Sequence, residues 1–158
     1  FMSKGIERMV LDGSEFSIGI AVSRWNAHIT DMLLLRALRA LSDSGVKESN
    51  IKIVYTPGSF ELPYAASQLA KNGRVDAVIA LGCLVKGETA HFDHIASAVS
   101  SGVRDVGIQT GVPVIFGVLT CFSIEQAEKR SREDGLDHGY EWGLSAVEMA
   151  SVRAKLAL

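Results

Sequence analysis

The sequence predicts an α/β domain of three layers, in which a four-stranded parallel sheet lies between helices on both faces. Four short runs carry apolar residues at successive positions, as strands buried on both faces of a parallel sheet require. Segments with apolar residues at helical spacing separate these runs, so strands and helices alternate along the chain. No linker, repeat or low-complexity tract interrupts the sequence, and we therefore expect one domain over residues 1–158.

Local signals place the individual elements. Residues 1–14 show no strong pattern and are predicted to form an N-terminal arm. The predicted strands are residues 16–23, 51–55, 75–81 and 114–119. The predicted helices are residues 29–44, 62–72, 89–109, 124–130 and 139 onward. Gly45 and Gly73 end the first two helices, and Ser123 can cap the fourth. Pro113 stands at the start of the fourth strand, where a missing N–H is tolerated.

Composition and charge narrow the class of protein. The chain is 47% hydrophobic with 22% charged residues, as soluble globular domains are, and its net charge of −2 offers no basic surface to nucleic acid. We find no apolar run long enough to cross a bilayer and no secretory segment, so we expect no membrane partner. Cys83 and Cys121 fall near predicted strand ends and are expected to be reduced core thiols of a cytoplasmic protein.

The most informative stretch runs from the predicted end of the third strand, near Gly82, into the next helix. A helix N-terminus suits anions because its first N–H groups are unpaired and the helix dipole is positive there. Lys86 adds a cation, Gly87 lets a ligand approach the backbone, and Thr89 can cap the helix. His91 falls in the first turn, where the dipole favours a neutral imidazole. One segment therefore combines an anion site with a candidate proton-transfer group.

Two other interpretations of this segment are less well supported. The spacing nearly matches a P-loop, but Glu88 stands where that motif has its lysine and would face the γ-phosphate. A zinc site would have to use Cys83, His91 and His94, without a CxxC pair or a clear fourth ligand. We therefore predict neither an NTPase nor a metal site. Each residue alone would also suit an ordinary turn between a strand and a helix.

Other loops at the same edge of the predicted sheet carry residues suited to recognition. They are Trp25 after the first strand, Ser59, Phe60 and Glu61 after the second, Phe116 in the fourth, and Arg130 in the helix after it. The carboxyl ends of parallel strands meet at one edge, so we expect these side chains to surround one site. An aromatic platform beside a carboxylate and an anion site indicates a flat polar ring ligand plus a phosphate. Singly, the aromatic residues would also suit the core.

The chain resembles the lumazine synthase family in motifs spread over nearly its whole length. These are RWN at 24–26, PGSFELP at 57–63, GCLVKGETAHFD at 82–93, VIFGVLT at 114–120, EQAEKR at 125–130 and AVEMA at 146–150. The resemblance implies a flavodoxin-like fold and the penultimate step of riboflavin biosynthesis. In that step 5-amino-6-(D-ribitylamino)uracil and 3,4-dihydroxy-2-butanone 4-phosphate give 6,7-dimethyl-8-ribityllumazine, phosphate and water. It implies no metal and no organic cofactor.

The resemblance and the residue chemistry together give the expected site. Substrate binding is assigned to Trp25, Asn26, Gly58, Ser59, Phe60, Glu61, Leu84, Val85, Lys86, Phe116 and His138. Phosphate binding is assigned to Gly87, Glu88, Thr89 and Arg130. His91 is expected to move protons. The rival hypotheses are a flavin-binding relative without catalysis and another flavodoxin-like enzyme that acts on a phosphorylated small molecule.

The resemblance also implies assembly. Members form homopentamers with active sites at subunit interfaces, so Phe116, Arg130 and His138 would come from the neighbouring subunit. Some members build a sixty-subunit shell, which the sequence leaves open, and riboflavin synthase is a candidate partner. Two features depart from the common pattern: His138 stands where a lysine is frequent, and the loop 131–138 lacks the GTKAGN motif of many shell-forming members.

Overall fold

The structure, a computed structural model, describes residue 7 and residues 9–157. Strands and helices alternate through it. The strands are β1 (Ile18–Ser23), β2 (Ile51–Thr56), β3 (Ala77–Val85) and β4 (Val114–Cys121). The helices are α1 (Ala27–Asp43), α2 (Leu62–Asn72), α3 (His91–Thr110), α4 (Ile124–Ser131) and α5 (His138–Leu156). Two short 3-10 segments occupy Glu48–Asn50 and Ser59–Glu61.

The four strands form one parallel sheet in the order β2-β1-β3-β4. The chain starts in the middle of the sheet at β1 and moves out to the edge strand β2. It then crosses back to β3 on the other side of β1 and continues outward to β4. The strand order therefore reverses between β1 and β3. In open parallel sheets the crevice at such a reversal is the usual place for a ligand.

Alternate residues of the central strand β1 face two separate hydrophobic layers. Ile18, Ile20 and Val22 belong to the core cluster that includes residues of α1 and α5. Ala21 belongs to the cluster formed with α2 and α3, where Val99 is fully buried. Full burial stabilises each such large apolar side chain by about 1.5–3 kcal/mol relative to exposure. The predicted three-layer α/β architecture with a parallel sheet is confirmed.

The third strand is longer than the sequence predicts. It was expected to end near Gly82, where a glycine suggests a turn, but the ladder continues and pairs Cys83 with Leu119 and Val85 with Cys121. β4 is likewise longer than its apolar run, because the two strands supply hydrogen bonds to each other. The glycine serves close packing instead: a Cβ at Gly82 would lie 2.5 Å from the Ser59 hydroxyl oxygen. The true turn is therefore residues 86–90.

Other boundaries differ from the predictions by one or two residues. α3 begins at His91 rather than Thr89, although the Thr89 hydroxyl still accepts a hydrogen bond from the His91 N–H at 3.3 Å. Ser123 caps α4 as predicted and accepts a bond from the Gln126 N–H at 3.2 Å. Of the predicted arm, residues 1–6 and 8 lie outside the described residues. None of the described helices is long and apolar enough to cross a membrane.

A charged pair joins the start of α5 to α1. Asp137 precedes α5 in the left-handed conformation, at φ 51°, and its carboxylate accepts two hydrogen bonds from Arg36 at 2.9 and 3.0 Å. The two side chains are only 13% and 21% exposed. The Asp137 bonds, against a smaller effect of burial, raise the pKa of the Arg36 guanidinium above its ordinary value.

We expect Arg36→Ala to lower the free energy of unfolding by about 2–3 kcal/mol, because it leaves a largely buried carboxylate without its partner. Urea denaturation followed by circular dichroism measures this. The matched control is Arg39→Ala on the same helix, which removes an exposed pair with Asp43 and should cost about 0.5 kcal/mol or less. Equal losses in the two variants would contradict a structural role for the Arg36 pair.

Candidate functional site

A cleft of about 600 Å³ opens where the strand order reverses, at the carboxyl ends of β1, β2 and β3. Its walls are Trp25, Asn26, Gly58, Ser59, Phe60, Glu61, Cys83, Leu84, Val85, Gly87, Thr89, His91, Phe92 and Ile95. The volume falls in the range of small-molecule sites. Eleven of these fourteen residues belong to the site predicted from the sequence. The structure therefore brings together three segments, residues 25–26, 58–61 and 83–95, that are separate in the sequence.

A larger cleft of about 890 Å³ lies between α3, the start of β4 and α5. Its walls are mainly apolar, with Asp76, Arg104 and Arg153 at the polar positions, and Phe116 is its one predicted site residue. Arg153 is already engaged there, since it donates to the Gly111 carbonyl at 3.0 Å and lies 3.4 Å from Asp76. Size alone would favour this cleft, but Glu61, His91 and the backbone at Gly87 and Thr89 line the smaller one.

The loop after β1 holds Trp25 in an exposed position. The backbone N–H of Trp25 donates to the Pro57 carbonyl at 3.2 Å, and the backbone N–H of Arg24 donates to the Thr56 carbonyl at 2.9 Å. These two bonds fasten the loop to the end of β2. The indole itself is 72% exposed at the mouth of the cleft. A large aromatic face on a fixed backbone is suited to stacking on a planar ligand.

The loop after β2 forms a compact 3-10 turn. One Glu61 carboxylate oxygen accepts the Gly58 N–H at 2.9 Å, and the Thr56 hydroxyl donates to the Gly58 carbonyl at 2.8 Å. Phe60 is exposed, whereas Ser59 is only 4% exposed. The internal bond fixes the Glu61 side chain and leaves its second oxygen as an acceptor for ligand hydroxyl groups. This wall therefore offers a fixed carboxylate oxygen to a polar ligand.

The N-terminus of α3 forms the opposite wall. Gly87, Thr89 and His91 line it, and His91 is exposed. A Cβ at Gly87 would meet no protein atom within 4 Å, so the glycine leaves open space in front of the helix start. Glu88 is exposed beside this space but does not line the cleft. The arrangement offers backbone N–H groups, a hydroxyl and an imidazole to an anionic ligand.

Lys86 points to a different cleft from the one predicted for it. Its ammonium lies 3.6 Å from the Asp93 carboxylate and 6.0 Å from the centre of the Phe92 ring. Together with Phe116 and Phe122 it lines a neighbouring cleft of about 530 Å³. Asp93 lies in the first turn of α3, close to the turn that carries Lys86. This ion pair was not predicted from the sequence. The lysine charge in this subunit is therefore shared with Asp93.

Arg130 also lies outside the 600 Å³ cleft. Its Nη1 donates to the Gln126 carbonyl within α4 at 3.1 Å. Burial raises the pKa of the Cys121 thiol, and the positive charge of Arg130 partly opposes that shift. Arg130 thus lies close to Cys121, the last residue of β4, at the same edge of the sheet as the cleft.

His138 is buried at the first turn of α5, with 8% of its surface exposed. Its ring stacks on Trp142 with centroids 5.6 Å apart, and its Nδ1 lies 3.5 Å from a Glu141 carboxylate oxygen. Like Phe116 and Arg130, it does not reach the cleft of its own subunit. The prediction that these three residues act from a neighbouring subunit stays a prediction.

Three cleft residues were absent from the predicted site: Cys83, Phe92 and Ile95. Phe92 and Ile95 follow His91 at one- and four-residue spacing on the same helix, so the helical period could have found Ile95. Burial, with a smaller effect of the nearby Cys121, raises the pKa of the Cys83 thiol to about 12. The thiol is therefore neutral near pH 7 and is a poor nucleophile. Among the described residues, no three His, Cys, Asp or Glu side chains are placed to hold a metal ion.

A sequence model of the protein family described as 6,7-dimethyl-8-ribityllumazine synthase matches residues 15–154. This range is most of the 158-residue chain. It contains all four strands and every residue that lines the 600 Å³ cleft.

Proposed function

We propose that this chain, which belongs to the 6,7-dimethyl-8-ribityllumazine synthase family, catalyses a condensation in its 600 Å³ cleft. The two substrates would be 5-amino-6-(D-ribitylamino)uracil and 3,4-dihydroxy-2-butanone 4-phosphate. The family implies a transferase-type enzyme. The products would be 6,7-dimethyl-8-ribityllumazine, phosphate and water. This reaction would be the penultimate step of riboflavin biosynthesis.

One observation supports this proposal above the others: the exposed indole of Trp25 and the N-terminus of α3 with His91 open onto the same cleft. The first group suits a pyrimidine ring, and the second suits a phosphate together with proton transfer. The Glu61 wall between them suits a ribityl chain. Two substrates with these three features would be held side by side.

The chemistry requires orientation more than strong activation. An amine attacks a ketone, phosphate leaves, and a second attack closes the ring. Schiff-base formation proceeds in water, so fixing the two substrates against each other would supply much of the acceleration. His91 would relay protons between steps, and the N–H groups near Gly87 and Thr89 would bind the phosphate as it departs.

Each predicted residue takes a part in this scheme. Trp25 would stack on the pyrimidine, the backbone of residues 58–60 with Glu61 would hold the ribityl chain, and the backbone at Leu84 and Val85 would read the polar edge of the ring. Glu88 would contact the phosphate through its backbone N–H at the helix start. The Lys86 ammonium forms an ion pair with the Asp93 carboxylate, 3.6 Å away. Lys86 would therefore contribute to substrate binding through the local electrostatic potential.

We further propose that the working enzyme is a homopentamer in which Phe116, Arg130 and His138 complete the cleft of a neighbouring copy. Phe116 supports this, because it is partly exposed on clefts other than the one formed by its own Trp25 and His91. Native mass spectrometry tests the assembly: a pentamer contains five 17.0 kDa chains, and a shell contains sixty. Adding riboflavin synthase to the same sample tests that partner.

A rate assay with both substrates, followed by mass identification of the product, tests the activity. Formation of 6,7-dimethyl-8-ribityllumazine with release of phosphate is the expected result. A protein that binds flavin but forms no product would instead be a relative without catalysis. A product of different mass from another phosphorylated substrate would place the cleft in a different reaction.

Replacing Trp25 should selectively weaken binding of the pyrimidine substrate. We expect Trp25→Ala to raise the Michaelis constant for the uracil about five- to tenfold, because stacking contributes about 1 kcal/mol beyond area burial. The constant for the butanone phosphate should change less. Bound lumazine should quench the Trp25 fluorescence, and the control is Trp142, which packs on His138 away from the cleft. Unquenched fluorescence, with wild-type kinetics in Trp25→Phe, would remove the stacking role.

A further inference from the structure

We infer that Asn26 is a positioning residue, whose side chain fastens the loop carrying Trp25 to strand β3 across the mouth of the cleft. Its amide Nδ2 donates a hydrogen bond to the Cys83 carbonyl at 3.0 Å. The role in substrate binding that the family pattern suggests for Asn26 would then be exercised through Trp25. The activity arm of the test rests on the proposed function, whereas the geometry and the fluorescence arm do not.

The bond lies where the backbone ladder between β1 and β3 has stopped. The last paired residues of these strands are Val22 and Leu81. β3 continues through Cys83 to Val85, but beyond Leu81 it is paired with β4 alone. The Asn26 amide bonds to the Cys83 carbonyl two residues past Leu81, and it therefore links the two sides of the cleft beyond the end of the ladder.

The backbone conformation of Asn26 agrees with a side chain that bonds to β3. It lies at the N-cap of α1 with φ 60° and ψ 49°, in the left-handed region that asparagine tolerates better than most residues. An N-cap asparagine usually bonds to the first turn of its own helix. Here the side chain makes no such bond, and its backbone carbonyl accepts the N–H groups of Ile29 and Thr30 at 2.9 and 3.1 Å. The side chain is thus directed to β3 rather than to the helix.

The remaining attachments of the loop are on its other side. The backbone N–H groups of Arg24 and Trp25 bond to the carbonyls of Thr56, the last residue of β2, and Pro57, the next residue. Because the indole is 72% exposed, few packing contacts hold it, and its direction depends on the loop backbone. Breaking the Asn26 bond would leave the loop fixed to β2 but free of β3, with Trp25 at its loosened end.

The first experiment follows Trp25 without any substrate. In a Trp142→Phe background Trp25 is the one tryptophan of the chain, and its fluorescence anisotropy reports the mobility of the loop. Asn26→Gly keeps the left-handed backbone and removes the bond, and Asn26→Asp keeps the size and replaces the donor by an acceptor. Both should lower the anisotropy. His28→Ala, an exposed change nearby on α1, should leave it at the wild-type value.

The second experiment is a double-mutant cycle on the Michaelis constant for the uracil substrate. Asn26→Gly should raise this constant roughly three- to tenfold, with a smaller change in turnover. In a Trp25→Ala background the same substitution should have little further effect, because the residue acts through the indole. Additive effects of the two substitutions would show direct ligand contact and overturn the inference. Unchanged anisotropy in both Asn26→Gly and Asn26→Asp would overturn it too, even if the protein has another activity.

Discussion

His91→Ala is expected to slow turnover roughly ten- to a hundredfold while both substrates bind almost normally. A positioned acid or base is typically worth about 10²–10⁴ in rate. The low end applies here, because the condensation proceeds in water and orientation provides much of the gain. His91 is the first residue of α3, exposed in the cleft beside Thr89, so its loss removes a proton relay without disturbing the core.

A second histidine on α3 is the matched control for this substitution. His94 lies one turn further on the same helix, is exposed, and does not line the cleft. Steady-state kinetics of both alanine variants measures the effect, and a larger loss of turnover in His94→Ala would assign the role to another group.

Arg130→Ala is expected to raise the Michaelis constant for the butanone phosphate at least tenfold. Charge-assisted hydrogen bonds to a phosphate are worth about 1.5–3 kcal/mol each, and turnover at saturation should suffer less. One guanidinium N–H is used by the Gln126 carbonyl, which anchors the side chain and leaves other donors of the planar group for the ligand. Steady-state kinetics with the phosphate substrate varied measures the effect.

Phosphate protection and mixed oligomers test where Arg130 acts. Inorganic phosphate should raise the melting temperature of the wild type but not of Arg130→Ala, and Arg132→Ala, which removes an exposed pair with Asp134, is the control. Equal protection of wild type and Arg130→Ala would exclude Arg130 from the phosphate site. If Arg130 serves the neighbouring cleft, impaired Arg130→Ala and Glu61→Ala chains assembled together should partly restore activity at low concentrations of the butanone phosphate. No restoration would argue for a site within one subunit.

Local sequence patterns determined the elements of this protein and the edge of the sheet at which the cleft lies. Uninterrupted apolar runs specify strands buried on both faces, and helical spacing specifies the segments between them, because both depend on residues close together in the chain. The loops that follow the strands could therefore be identified as the site before any contact was known. Three of the six motifs that carried the resemblance to the family, at 24–26, 57–63 and 82–93, include those loops.

Only the tertiary structure decided contacts between segments distant in sequence. Pairing with β4 extends β3 to Val85 and places Cys83 in the cleft wall, since the added ladder bonds come from another strand. Arg36 bonds to Asp137 across 101 residues of chain, and Asn26 bonds to the Cys83 carbonyl across 57, and no local pattern reveals either contact. Local spacing fixes which way a side chain faces on its own element. The partner it meets depends on how the elements pack, and that packing is determined by many weak interactions over the whole chain.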